Sequence, residues 1–135
     1  MKKIILVMIM VISFTGCVTN APQYDNNEYA SVVKMKILTL DMNKSCLSSD
    51  AVNSQLPSLK REVLYFNIYS KHLPDNNNVY EISGILTKII TEMDNKYTDN
   101  EKVSNAYCQH KTGLLLKGID RTLDAVANKY RLQGN

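Results

Sequence analysis

Glycine is scarce, five residues in 135, and no stretch alternates apolar and polar residues between turn signals. The sequence therefore offers neither strands nor a phosphate-cradling loop. Histidine occurs only at positions 72 and 110, far apart and without a C-x-x-C or H-x-x-x-H companion, which leaves no metal site and calls for no cofactor. No G-x-S-x-G or H-E-x-x-H appears. Asp41, Asp50, Asp94 and Asp120 fall at helix caps or on polar faces, where solvation accounts for them, and the sequence reads as non-enzymatic. There is also no basic run. The formal charge of +3 owes much to Lys2 and Lys3, and elsewhere lysines alternate with acids and amides. Nucleic acid thus has no electrostatic footprint to recognise.

What is present begins at the N-terminus. Lys2 and Lys3 precede an apolar run from Ile4 to Ile12, followed by Phe14-Thr15-Gly16-Cys17. This is the layout of a secretory signal, with an apolar core too short to span a bilayer as a mature helix. Its end resembles the lipobox of bacterial lipoproteins. That resemblance implies removal of residues 1–16 and lipidation of Cys17, and membrane attachment through the lipid rather than a polybasic patch. Residues 17–27 are polar and aperiodic after the cysteine. They read as a lipidated N-terminus and flexible tether spanning about 15–20 Å. Residues 28–135 form one domain.

Two cysteines remain after processing, Cys46 and Cys108. In an oxidising compartment an even pair reads as a disulfide.

The domain reads as helical throughout. A first helix is expected over about Glu28 to Lys44, with Tyr29, Val33, Ile37 and Leu40 as its core stripe. Met35, Leu38 and Met42 share the roughly opposite face. A helix apolar on two sides is either central in its bundle, thickening the core, or has one side free for a partner; on the second alternative these three residues are the expected wall of a partner-binding groove. A second helix runs from about Asp50 to His72, with Val52, Leu56, Leu59, Val63 and Phe66 facing the core and Leu64 and Ile68 off the stripe. Pro57 predicts a break or bend near Leu56. Leu73 to Asn78 is the plainest loop. Asn78 and Glu81 suggest a capping box for a third helix, with Val79, Ile82, Leu86, Ile89, Met93 and Tyr97 inward and Ile85 and Ile90 widening the face. Thr98-Asp99-Asn100-Glu101 suggests another box, opening a fourth helix to about Leu132. Its apolar stripe shifts near Gly113 and Gly118, where a bend or close helix approach is expected. The expected architecture is all-α, an antiparallel four-helix bundle with one disulfide, preceded by the signal and tether.

A small helical lipoprotein with one cysteine closing its first helix (Lys44-Ser45-Cys46-Leu47-Ser48-Ser49-Asp50) and another opening its last (Tyr107-Cys108-Gln109, then Ile119-Asp120-Arg121) resembles the PulS/OutS-type pilotins of bacterial type II secretion systems. The resemblance covers about residues 29 to 126. It implies a protein that binds the C-terminal segment of an outer-membrane secretin, a segment helical when bound. It also implies that the lipoprotein-sorting machinery carries the pair to the outer membrane, where the anchored domain faces the periplasm. Val18 in place of Asp fits outer-membrane delivery under the usual sorting rule. The alternative is a periplasmic immunity or inhibitor lipoprotein that neutralises a toxin or lytic enzyme. The loop Asn76-Asn77-Asn78 would be its only plug.

Overall fold

The computed structural model describes residues 25–99 and 103–131. The signal segment, Cys17 and most of the tether lie outside the described residues. Four helices follow in order: α1 (Asn26–Lys44), α2 (Ser49–His72), α3 (Asn77–Thr98) and α4 (Asn105–Arg131). Each packs on its neighbours around a ring, α1 on α2, α2 on α3, α3 on α4 and α4 back on α1, while the diagonal pairs stay apart. Cross-helix contacts fix the directions. Ser31 bonds Glu62 while Ser45 bonds Gln55. Lys60 meets Asp94 while Asn67 meets Ser83. Glu28 meets Tyr130 while Asn43 meets Thr112. Early residues of one helix pair with late residues of the next, which makes an antiparallel bundle. Among the described residues no helix is long and apolar enough to cross a membrane.

The helix starts are set by local chemistry. Asp25 is extended, and its carboxylate accepts the N–H groups of Asn27 and Glu28, so α1 is capped at its first turn. Ser48 caps α2 by accepting the Ala51 N–H. Ser104 does the same for α4 through Tyr107 N–H. The second expected capping box is therefore not a start. α3 continues to Thr98, and α4 begins behind Ser104. At α3 the cap position falls on Asn76 rather than Asn78, without a side-chain cap bond. Its amide is committed elsewhere, donating to Ser70 C=O and accepting from Lys129. Asp75, at φ 52°, turns the chain into that position, a conformation aspartate tolerates better than most residues.

α2 is one continuous helix through Pro57, not two segments. Proline removes the bond that would satisfy the Asn53 carbonyl. Asn53 and Pro57 are both exposed, so water replaces the missing donor. The expected core positions of α2 all hold: Val52, Leu56, Leu59, Val63 and Phe66 are buried.

α1 is rotated from expectation. Val32, Met35 and Met42 have no exposed surface, whereas Ile37, Leu40 and Tyr29 are exposed and Val33 is half-buried. Leu38 packs against the core edge. The bundle chose the face that carries Thr39 as well, whose hydroxyl donates to the Met35 carbonyl one turn back and so costs little to bury. Thr112 and Thr122 on α4 use the same device.

Cys46 and Cys108 are bonded, with Cα atoms 5.5 Å apart. The bond ties the end of α1 to the first turn of α4. Further along α4, Gly118 sits against Leu86 of α3, where an added Cβ would lie 2.6 Å from Leu86 Cδ2. This is the close helix approach expected near the glycines. Gly113 meets nothing within 4 Å.

Candidate partner-binding surface

α1 carries apolar side chains on two sides, and the bundle uses one. The inner side supplies Val32, Met35 and Met42 to the core. The outer side presents Tyr29 and Leu40 at about two-fifths exposure and Ile37 at 54%. The bonds Asn43–Thr112 and Lys36–Asp120 set the α1–α4 register. By that register Leu40 lies level with Leu116 and Val33 level with Leu123, both half-buried on α4. The outer face of α1 thus continues onto the edge of α4.

This arrangement corrects the expected groove. Met35 and Met42 cannot meet a partner while the bundle is intact, and Leu38 is a core-edge residue. The surplus apolar face is real but belongs to Tyr29, Ile37 and Leu40. A signal for the correct rotation was available. Met42 and Met35 lie four and eleven residues before Cys46, on the same helical phase, and Cys46 points inward to reach Cys108.

The off-stripe pair on α2 does reach the surface. Ile68 is 62% exposed and Leu64 half-buried, joined by exposed Tyr65 and Pro57. The Lys60–Asp94 ion pair borders them and ties this shelf to α3. Tyr65 stacks on Tyr69, ring centroids 5.9 Å apart.

The end of the bundle away from the disulfide, where α1 begins, is held by a polar cluster. Glu28 is fully buried. Its Oε2 accepts from Tyr130 Oη at 2.9 Å and from Lys129 Nζ at 3.4 Å. Lys129 Nζ also reaches Asn76 Oδ1 at 3.2 Å, so α1, the start of α3 and α4 meet at one ammonium. Tyr69 Oη donates to the Asp25 carboxylate. Burial raises the Asp25 carboxyl, but the Tyr69 hydroxyl and the α1 N–H groups outweigh it, and the group stays below the ordinary aspartate value. The bond to Asp25, then burial, raises Tyr69. Burial pushes Tyr130 up to about 12, with the Glu28 bond acting in the same direction. The cluster fixes the first turn of α1 against α2 and α4.

The expected polar plug is largely absent as a loop. Asn77 and Asn78 belong to α3, and Asn76 is buried and committed to Ser70 and Lys129. His72 and His110 are both exposed and lie on different helices. No group of three His, Cys, Asp or Glu side chains that could hold a metal occurs among the described residues. Cys17, the expected lipidation site, lies outside them.

Comparison with protein-family models, with curated proteins and with solved structures finds no match to this chain.

Proposed function

We propose that this chain is a non-enzymatic, lipid-anchored pilotin of the PulS/OutS type. In this reading Cys17 holds it in the outer membrane on the periplasmic side, and its helical domain binds the C-terminal segment of a type II secretion secretin. The lipoprotein-sorting machinery then carries the pair to the outer membrane for assembly. The observation that carries this reading is the two-sided α1: one apolar face builds the core, and the other, through Tyr29, Ile37 and Leu40, is left open along the α1–α4 edge. An amphipathic helix laid on that face removes apolar surface from water at about 25 cal/mol per Å², less the cost of ordering the peptide. The disulfide and the polar cluster support the reading mechanically. They brace both ends of α1, so the face is presented rigidly and partner binding does not have to order it.

The anchor is tested by expressing Cys17→Ala in the host. The variant should lose labelling by a palmitate analogue and no longer direct the secretin to the outer membrane. Labelling at the wild-type level would remove the lipoprotein half of the proposal. An outer-membrane secretin unaffected by the variant would remove the piloting half and turn attention to the inhibitor reading.

A further inference from the structure

We propose that the groove between α3 and α4 is a second docking site, one that takes an amphipathic helix flanked by carboxylates. Three isoleucines, Ile82, Ile85 and Ile89, line its α3 side, and Leu114 lines its α4 side. Ile85 is 60% exposed and with its three neighbours makes a contiguous apolar strip rather than a single exposed residue. Gly118 lies between Leu114 and Arg121 on α4 and has no side chain to fill the wall. Leu86 fills the space that a side chain there would take, and the backbone of Gly118 borders the groove. The groove encloses about 230 Å³. A leucine on an incoming helix enters such a groove as a knob enters a hole.

Charge decides the occupant. Lys117 and Arg121, one turn apart, form the α4 rim and are exposed. Neither pairs with a carboxylate of the described residues. Five other cations at helix seams are neutralised: Lys34 by Glu62, Lys36 by Asp120, Lys60 by Asp94, Lys111 by Glu92 and Lys129 by Glu28. Arg61 on α2 has no such pair among the described residues but stands alone, whereas Lys117 and Arg121 form a rim of two. An apolar floor with an unpaired basic rim matches a helix whose apolar stripe runs beside Glu or Asp. The span from Ile82 to Ile89 is about 10 Å at 1.5 Å per residue, so about two turns of partner cover it. α1 does not touch α3, so this site is separate from the outer face of α1 and stands or falls without it.

The test uses the chain from Val18 to Asn135, which contains every described residue. Two synthetic helical peptides serve as probes, each with leucines at i, i+3 and i+7, one flanked by glutamates and the other by lysines. Fluorescence anisotropy should show the glutamate peptide binding about tenfold more tightly, which is what two exposed charge pairs can supply. Lys117→Glu with Arg121→Glu should reverse the preference. Ile85→Asp should abolish the charge-dependent binding of the glutamate peptide, and Leu47→Asp, at an exposed residue outside both apolar faces, should leave it unchanged. Circular dichroism should be unaltered in all of these surface variants. Equal binding of the two peptides, or a preference that the charge reversal leaves in place, overturns the proposal. So does capture by phosphatidylglycerol vesicles that depends on Lys117 and Arg121 while neither peptide binds, which would assign the groove to a lipid surface.

Discussion

Removing the Cys46–Cys108 bond should lower stability by about 4 kcal/mol without erasing the helices. The bond joins residues 62 apart in sequence, and closing a loop of that length removes about 4 kcal/mol of chain entropy from the unfolded state. A domain of this size holds only about 5–15 kcal/mol in total. One kcal/mol corresponds to roughly 4 °C in melting temperature, so the double variant Cys46→Ala/Cys108→Ala should melt about 15 °C lower. The double variant is the right perturbation because a single replacement leaves a reactive thiol behind. Thermal melts followed by far-ultraviolet circular dichroism are the assay, with tris(carboxyethyl)phosphine-treated wild type as a second route to the same state. Both should keep a helical spectrum at low temperature, because the buried core draws on all four helices. A double variant melting within about 5 °C of wild type would refute the reasoning. It would mean that the unfolded chain already holds the ends of α1 and α4 together, or that the bond is absent.

The two faces of α1 should separate cleanly: Met35→Ala, which empties a fully buried site, should cost about 2–5 kcal/mol, whereas Ile37→Ala should cost less than about 1 kcal/mol in chemical denaturation. The helical glycines should act in opposite directions. Gly84→Ala, in open space, should stabilise by about 0.5–1 kcal/mol, while Gly118→Ala should destabilise because Leu86 is packed and must leave its place. Stability should also fall at high pH. The Tyr130 hydroxyl titrates at about 12 in the fold against about 10 when unfolded. Its contribution is therefore complete below pH 10 and is lost as pH rises through 12. Tyr130→Phe should make the alkaline decline shallower in melts between pH 9 and 12, and identical slopes would contradict the assignment.

Much of this architecture was legible in the residues, and the failures have physical causes. The 4-3-4-3 spacing from Val52 to Phe66 leaves one way to turn α2, so its core was readable despite Pro57. The disulfide followed from cysteine parity behind an expected export signal, and the two bonded positions fixed which ends meet. α1 was ambiguous because Val33, Ile37 and Leu40 form as regular a stripe as Val32, Met35 and Met42. Periodicity alone cannot choose between two apolar faces; the phase of Cys46 can. The α3 cap was misplaced because Asn76, Asn77 and Asn78 are chemically equal in sequence. Only the tertiary bonds of Asn76 to Ser70 and Lys129 distinguish them. The groove between α3 and α4 was invisible for a related reason. Ile85 reads as a core residue until Leu86 and Ile90 are seen to take the inner positions.

The central claim is that the outer face of α1 holds a secretin helix, and titration calorimetry with a secretin C-terminal peptide tests it most directly. The wild-type chain should bind the peptide, and Ile37→Asp should abolish binding while its melting curve stays near wild type, because an unpaired carboxylate in a desolvated contact is strongly disfavoured. Normal binding by Ile37→Asp, or no binding by the wild-type chain, would contradict the account.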